Sequence, residues 1–446
     1  MKVVVIGGTA AGLSAASKAK RLRPELEITV FERTGYISYG ACGLPYFVGD
    51  MIQDPNDLVS LFPEDVEKRG IRIFTHREVT KIDRTAKTVT VRDLESGSVE
   101  VWPYDRLVIA TGASPIRLPI PGGDAKGVCY LRTVEDGIAL KALAGASGTA
   151  VIIGGGFIGL ELAEELTQRG VRVHLLEALP RLLPFLPEEF SALVLETLER
   201  NGVTVHTGTA AGAFLTESDR LRAVRTDSGE EIETELALVS VGVRPATQLA
   251  ADCGLTLGLK GSIAVDEEQR TSDPDIWACG DCAETRNRIT GQPAYVPLGT
   301  TANKQGRIAG VNVAGGHDRF PGILGSMVTK VFDAYIAATG LSLEQARQAG
   351  FDAAATQITK NERASYYPGG RSSRLSLVFE KGTGRLLGAQ ALGSDMVAGR
   401  INTLAATITA GMTVSVVNEL DLVYAPPVAP VYDPILIAAS QAIKHV

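Results

Sequence analysis

The chain has 446 residues and a formal net charge of -7, a balance that gives no reason to expect nucleic acid as a partner. Its length predicts roughly two to four domains, and its hydrophobic and charged fractions, 45% and 21%, are typical of a soluble globular protein. No apolar run reaches the roughly 18 residues of a membrane span, and five cysteines are too few for a disulfide framework, so we expect a cytoplasmic protein without membrane association.

The N-terminal stretch predicts a strand–helix–strand unit that binds a dinucleotide. A buried strand over Lys2–Ile6 is followed by a helix from Leu13 to about position 22 and by a second strand over Glu27–Phe31. The turn Gly7-Gly8-Thr9-Ala10-Ala11-Gly12 can seat a pyrophosphate at the helix N-terminus, and Glu32 can hold a ribose hydroxyl. Because the second glycine of the usual pattern is a threonine here, an ordinary tight turn remains an alternative for this unit taken alone.

The next stretch, Ser38–Phe47, holds a single cysteine, Cys42, between Gly40 and Gly43. Pro45 suits the first turn of a helix, and a helix start favours a thiolate, so the pKa of Cys42 is expected to fall below its ordinary value. These features predict a redox nucleophile that faces a flavin. The alternative is a small thiol that packs against a turn, which is how most free cysteines behave.

The dinucleotide pattern occurs a second time. A strand over Ala150–Ile153 leads into Gly154-Gly155-Gly156-Phe157-Ile158-Gly159, where all three glycines are present, and then into a helix over Leu160–Arg169. A further strand, Val171–Leu176, ends at Glu177. Two such units in one chain are far more specific than one, and they imply two bound nucleotides.

Two acidic residues of the second unit bear on the cofactor. Glu177 favours the free ribose of NAD over the phosphate of NADP, although the nearby Arg181 weakens that preference. Glu161 could be a first-turn acid that stabilises the helix dipole, or it could face the nicotinamide ring.

Two further strands, Arg106–Ala110 and Ala237–Val241, are followed by glycine turns and are predicted to mark where the chain leaves and re-enters the first domain. A strand over Asp275–Ala278 ends at Cys279-Gly280-Asp281-Cys282, where the carboxylate can hold a polyol chain. A redox or zinc-binding cysteine pair is the alternative at that turn, but no second pair supplies further metal ligands.

The composition changes near position 322, and the remaining sequence predicts a separate α+β module. The predicted strands are Val328–Phe332, Tyr335–Gly340, Asp352–Thr359 and Leu375–Glu380, and the predicted helices are Leu343–Ala349 and Ile401–Ala410. A proline-rich stretch from position 421 to 434 is predicted to be extended. Tyr366, Tyr367 and Tyr424 could donate protons or contact substrate, or they could pack at an interface.

Together these motifs resemble the pyridine nucleotide–disulfide oxidoreductase superfamily over essentially the whole chain. The resemblance rests on both glycine turns, the Cys42 stretch, Ala110–Gly112, Val241–Pro245, Cys279–Asp281 and Thr301–Arg307. It is strongest to the branch with one active cysteine, which includes coenzyme A disulfide reductases, NADH-dependent persulfide reductases and NADH oxidases.

The resemblance implies an α/β protein with two Rossmann-like domains and a C-terminal α+β dimerisation domain. Residues 1–112 and 245–322 would bind FAD, residues 113–244 would bind NAD(P)H, with NADH favoured, and residues 323–446 would form a homodimer. The implied contacts to FAD are made by Gly7, Gly8, Ala11, Gly12, Glu32, Arg33, Thr111, Gly112, Asp281, Thr301 and Ala302. Those to the nicotinamide nucleotide are made by Gly154, Gly156, Phe157, Ile158, Gly159, Glu161, Glu177 and Gly242.

The resemblance also implies chemistry at one sulfur, since no second cysteine accompanies Cys42. The acceptor would be a coenzyme A disulfide or persulfide, with Tyr424 and Tyr366 serving the partner subunit's cysteine. The implied substrate-binding residues are Lys18, Arg21, Ser38, Tyr39, Asn303 and Arg307, and no metal is implied. NADH oxidases carry a histidine in the first glycine turn, where this chain has none. An NADH oxidase, an electron-transfer reductase and a redox sensor remain alternatives.

Overall fold

The computed structural model describes residues 1–446 and begins with the predicted parallel sheet. Its first elements are β1 Lys2–Ile6, α1 Ala10–Leu22, β2 Glu27–Phe31, α2 Leu44–Val48, α3 Pro63–Glu67, β3 Ile71–Phe74, β4 Arg77–Asp83, β5 Thr88–Asp93, β6 Val99–Pro103 and β7 Arg106–Ile109. The apolar strands β3, β2, β1 and β7 lie side by side and parallel, and β4, β5 and β6 form a separate antiparallel sheet.

The second unit repeats this plan. Its elements are β8 Ala113–Pro115, β9 Val128–Cys129, α4 Val134–Ala144, β10 Thr149–Ile153, α5 Phe157–Gln168, β11 Arg172–Glu177, α6 Glu188–Arg200, β12 Thr204–Thr207, β13 Ala211–Glu217, β14 Arg220–Thr226, β15 Glu231–Glu233, β16 Leu236–Val239 and β17 Val243–Pro245. A parallel sheet has the order β12-β11-β10-β16-β9, and β13, β14 and β15 form a three-stranded antiparallel sheet. Strands β8 and β17 pair antiparallel, so the chain leaves and re-enters the first unit at one place, as predicted.

The chain then completes the first unit with α7 Gln248–Asp252, β18 Ile276–Ala278, β19 Thr285–Arg286, β20 Pro293–Ala294 and α8 Gly299–Val313. Strand β18 joins the first sheet beside β7. Helix α8 packs closely on α1, because side chains are absent at Gly306 and Gly310. A Cβ at either glycine would overlap the backbone of α1 at Ala11 or Ala15.

The third unit is an antiparallel sheet with helices, as the sequence predicts. Its elements are β21 Met327–Val331, β22 Ala334–Gly340, α9 Leu343–Gln348, β23 Ala353–Asn361, β24 Ser372–Glu380, β25 Leu386–Gly393, α10 Met396–Thr409, α11 Val414–Asn418 and α12 Pro434–Ala442. Strand β25 and helix α12 were not predicted, and the last proline of the extended stretch opens α12. None of the helices is both long enough and apolar enough to pass through a bilayer.

The cores of the units are continuous where they meet. Leu44 and Phe47 of α2 belong to the same buried cluster as Leu162 of α5 and as Val331 and Ile336 of the third sheet. The short helix that follows Cys42 is therefore packed by α4 and α5 of the second unit, within a core that continues into the third.

A buried ion pair anchors the start of α12. The Arg400 guanidinium donates to Asp433 at 3.0 Å and to the carbonyl of Glu362 at 3.0 Å, and Asp433 also accepts from the Ile435 N–H at 2.9 Å.

We expect Asp433→Ala to destabilise the protein by about 3–5 kcal/mol, since removing one partner leaves the buried guanidinium unpaired. Chemical denaturation would measure the loss. Asp421→Ala, at an exposed position with no ion pair, is the control and should stay within about 0.5 kcal/mol of the parent.

Candidate active site

The two glycine turns are held by the same interaction. Glu32 Oε2 accepts a hydrogen bond from the Gly8 N–H at 2.7 Å, and Glu177 Oε2 accepts one from the Gly155 N–H at 2.8 Å. In each case the other oxygen accepts from a backbone N–H two residues farther along the chain, at 2.9 and 2.8 Å. Each acid therefore fixes its turn, and the unused lone pairs of each carboxylate can still accept from a ribose hydroxyl.

Three helix N-termini fit the anionic parts of two dinucleotides. Helices α1, α5 and α8 have no capping side chain and no acid in the first turn, whereas α4 and α9 begin with side-chain capping boxes. The space in front of Gly156, at the start of α5, is open, since a Cβ there would meet nothing within 4 Å. Uncapped N–H groups that face open space suit a pyrophosphate.

Asp281 lies at the end of β18, where the first unit meets the second. Its carboxylate is paired with Arg132 at 2.8 Å, and its carbonyl accepts from the Tyr295 hydroxyl at 2.9 Å. Gln305, in the middle of α8, accepts from the Gly280 N–H at 2.9 Å, which ties α8 to this turn. The second carboxylate oxygen of Asp281 has no protein partner and fits the polyol chain of FAD.

Cys42 lies in a single 3-10 turn, Ala41–Gly43, directly before α2, and is the one exposed cysteine. Although part of the residue is exposed, the protein packed around the sulfur disfavours the charged form and raises the pKa of the thiol; the charges of Glu161 and Asp281 raise it further, and Arg132 opposes them. The expected decrease in pKa is therefore wrong for the groups that this chain supplies. Helix α2 has only five residues, too few for a sizeable dipole, and the charges of two carboxylates disfavour the thiolate.

Glu161 contacts the third unit. Helix α5 begins at Phe157, so Glu161 lies beyond the first turn, and the first-turn interpretation is wrong. Its carboxylate accepts from the Thr329 hydroxyl of β21 at 2.9 Å, and burial raises its pKa. That Glu161 faces the nicotinamide ring stays a prediction.

The candidate substrate residues lie on the paired helices α1 and α8. Ser14 donates to Asn303 at 2.7 Å and joins the two helices. Lys18 is half-buried, Arg21 and Arg307 are exposed, and none of the three forms an ion pair. Three free cations on adjacent helices can bind an anion.

Tyr366 and Tyr424 are exposed and their hydroxyls are hydrogen-bonded to each other at 2.9 Å. The structure thus brings together two residues that are 58 positions apart, on the surface of the third unit. Tyr367 is also exposed.

Cys279 and Cys282 are fully buried with free thiols, and burial raises the pKa of both. Cys282 donates to the carbonyl of Cys279 at 3.4 Å, and β7 provides a second acceptor. Both thiols therefore pack in the core beside the turn that holds Asp281.

The other predicted residues differ in burial and in their contacts. Thr111 donates to the carbonyl of Ala246 at 2.6 Å, and Gly112 lies against the Arg132 guanidinium. Phe157 packs edge-on against Phe185. Ile158, Arg33, Ser38 and Tyr39 are exposed or half-buried, while Thr301 and Ala302 are buried at the start of α8.

Known proteins share this architecture over the whole chain. Residues 1–315 match the family described as Pyridine nucleotide-disulphide oxidoreductase, and residues 327–433 match its dimerisation domain. The chain belongs to this family. This oxidoreductase is accordingly a flavoprotein that takes FAD and NAD(P)H, as the sequence motifs predicted.

Its relatives differ in the acceptors that their names specify. The NAD(P)H coenzyme A polysulfide/persulfide reductase of Pyrococcus horikoshii is 39% identical over 441 residues, covering 98% of this chain and 97% of that protein. The NAD-dependent persulfide reductase from A. fulgidus has 40% identity and a TM-score of 0.96, over 100% of this chain and 83% of that one. A water-forming NADH oxidase from Lactobacillus brevis, solved with NADH, has 32% identity and a TM-score of 0.95, over 100% and 98%.

Sequence reasoning missed several residues of this oxidoreductase's site. Arg132 precedes α4 and had no motif to mark it, yet it pairs with Asp281 from 149 positions away. Thr329 and Lys330 contact α5 from the third unit, and Glu164 of α5 accepts from Lys330. Only the spacing of acids along α5, at positions 161, 164 and 165, could have suggested a common face.

Proposed function

We propose that this oxidoreductase uses NAD(P)H and FAD to reduce a coenzyme A disulfide or persulfide through Cys42. The observation that carries the proposal is the position of the thiol, which lies within electrostatic range of Glu161 in the second unit and of Asp281 and Arg132 at the polyol site. A sulfur at the junction of the two dinucleotide units is well situated to receive electrons that travel from one cofactor to the other. The proposal includes the domain division 1–112 with 245–322, 113–244, and 323–446.

The chemistry at sulfur needs one nucleophile. The Cys42 thiolate attacks one sulfur of the substrate's S–S bond, that bond breaks, and a thiolate leaves while a mixed disulfide forms on Cys42. Bound FAD would supply the electron pair, received as hydride from NAD(P)H, that cleaves this mixed disulfide. Arg132 is the group of this chain whose charge favours the thiolate form of Cys42.

The free cations of α1 and α8 support the coenzyme A part of the proposal. Lys18, Arg21 and Arg307 offer charge to the phosphates of such a substrate, and Asn303 offers an amide between them. The matched dimerisation domain supports a homodimer, in which the exposed Tyr366–Tyr424 pair would reach the partner's sulfur and supply a proton to the leaving thiolate.

The nucleotide preference is proposed to be for NADH. Glu177 ends β11 with a carboxylate that would repel a ribose phosphate. Arg181, which could have attracted that phosphate, instead donates to the carbonyls of Leu186 and Pro184, both at 2.9 Å. Its guanidinium is therefore already engaged by its own loop.

Anaerobic turnover with a panel of acceptors tests the proposed function. Purified holoenzyme and NADH would be mixed with coenzyme A disulfide, coenzyme A persulfide, cystine or oxidised glutathione, and NADH consumption followed at 340 nm (the absorbance of the reduced nicotinamide). We expect rapid turnover with the coenzyme A compounds only. Equal rates with all acceptors, or no rate with any, would contradict the proposed substrate class.

An NADH oxidase is the second candidate, favoured by the likeness to the Lactobacillus brevis enzyme and by the exposure of Cys42. Bound FAD would then supply the electron pair that reduces oxygen to peroxide, and the Cys42 thiolate would take one peroxide oxygen to become a sulfenic acid while the other leaves as hydroxide. The same assay in air separates the two candidates, because an oxidase consumes oxygen rapidly without any disulfide.

The free cations of α1, Lys18 and Arg21, are expected to affect only substrates that carry phosphate groups. In the double variant Lys18→Ala/Arg21→Ala, KM for coenzyme A disulfide should rise about tenfold or more, since two charge-assisted contacts are lost. KM for pantethine, the disulfide of coenzyme A's thiol-bearing end without its phosphates, should not change. Steady-state kinetics with both substrates would measure this.

Arg23→Ala provides the matched control at the end of the same helix, because Arg23 is already paired with Glu25. It should leave both KM values unchanged. A similar rise in KM for the two disulfides in the double variant would argue against phosphate recognition at this place.

A further inference from the structure

A buried carboxyl group lies behind the Cys42 segment. Glu165 of α5 is 1% exposed, and its Oε1 has no hydrogen-bond partner. Its Oε2 lies directly against Gly49, the residue that follows α2, where even a Cβ would overlap the carboxyl. Neither the dinucleotide sites nor the substrate site uses this group.

The residue that directly follows α5 also binds the end of α2. Arg169, one turn after Glu165, donates to the carbonyl of Val48 at 2.6 Å and pairs with Asp50 at 3.1 Å. Lys141 of α4 pairs with Asp50 at 2.8 Å from the other side. The segment that begins with Cys42 is thus fixed at its far end by the second unit, and Glu165 lies inside that contact.

Glu165 has no cation to itself. On its own helix it is close to Glu161 and Glu164, whose charges oppose its ionisation, and Tyr46 of α2 also lies near this group of acids. The charge of Lys330 of β21 favours the ionisation of Glu165, but Lys330 is already bonded to Glu164. Burial, with these neighbours, raises the pKa of Glu165 to about 7.

We propose that Glu165 is a positioning residue for Cys42. In its neutral form the Glu165 carboxyl keeps α5 packed on α2. When Glu165 ionises, it loosens that contact and adds negative charge behind the thiol. Both effects lower the reactivity of Cys42. The inference rests on the proposed function only for the role of Cys42 in turnover, since the reactivity of the thiol can be measured without any substrate.

Alkylation of Cys42 as a function of pH tests the proposal. The reduced holoenzyme would be pulsed with iodoacetamide from pH 5.5 to 9.5, and the labelled Cys42 peptide quantified by mass spectrometry. In the wild type we expect two inflections, that of the thiol and a second near pH 7. Above the second, the observed alkylation rate should be about threefold lower than titration of the thiol alone would give, because a rise of about half a unit in the thiol pKa leaves about a third as much thiolate. Glu165→Gln, which mimics the neutral carboxyl, should show only the inflection of the thiol.

Glu199→Gln, on the exposed face of α6, is the matched control and should keep both inflections. A wild-type profile with one inflection, or a second inflection that persists in Glu165→Gln, would overturn the proposal.

Thermal unfolding gives an independent measure of the ionisation of Glu165. A carboxyl whose pKa is raised by folding loses stability as pH rises from about 4.5 through 7, so Tm of the wild type should fall relative to Glu165→Gln over that window. If Cys42 had no part in turnover, both measurements would still report on Glu165.

Discussion

Replacing Cys42 with serine is expected to lower kcat/KM for coenzyme A disulfide by at least about 10³-fold, because it removes the proposed nucleophile. A serine hydroxyl is hardly ionised at neutral pH and cannot form the mixed disulfide. The residues that fix the two dinucleotide turns, Glu32 and Glu177, are not touched by the change. The variant should therefore retain FAD and accept one hydride equivalent from NADH at close to the wild-type rate.

Two measurements in the absence of oxygen separate these effects. Stopped-flow absorbance at 450 nm follows reduction of the flavin by NADH, and steady-state assays follow the disulfide. Cys253→Ser is the matched control, since that thiol is half-buried and its hydrogen bond to the carbonyl of Ala250 can be replaced by a hydroxyl. Disulfide turnover that survives in Cys42→Ser would mean that electrons leave the flavin by a route other than this sulfur.

Much of the fold follows from local sequence. The turns at Gly7–Gly12 and Gly154–Gly159 were predicted because their chemistry lies within a few residues of chain, and each is closed by an acid about twenty residues later. The exchange of chain between the first two units was predicted from the turns that follow β7 and β16. Strand β25 was missed, since its sequence of small and apolar residues, Leu386–Gly393, has no alternation typical of a strand.

The electrostatics of the cysteine could not be predicted in the same way. A local pattern, a cysteine before a proline-started helix, indicated a lowered pKa for Cys42. The tertiary structure overrides it, because the protein packed around the sulfur desolvates the thiolate, and Glu161 and Asp281, from positions distant in sequence, disfavour it further. The pairing of Arg132 with Asp281 and the contact of Thr329 with Glu161 likewise exist only once three units have packed together.

An alanine in either glycine turn is expected to weaken binding of one nucleotide and to leave the other bound. Gly7 and Gly154 both have a φ of +106°, a conformation that L-residues with side chains rarely adopt. A Cβ at Gly7 would overlap the carbonyl of Ala110, and one at Gly154 would lie 2.7 Å from the carbonyl oxygen of Ser240. Strain and overlap together should cost about 3 kcal/mol or more at each turn.

Gly7→Ala should therefore yield protein with little FAD, whereas Gly154→Ala should keep its FAD and lose affinity for NADH by roughly a hundredfold, if most of that cost falls on the bound state. The ratio of absorbance at 450 to 280 nm and the KM for NADH measure the two outcomes. Gly202→Ala is the control for backbone strain alone, because its φ is +90° but nothing lies within 4 Å of the added Cβ. It should cost only about 1–2 kcal/mol and leave both cofactors bound. If Gly154→Ala lost FAD as Gly7→Ala does, a change in the second unit would also disrupt the FAD site. The two nucleotide sites would then not be independent.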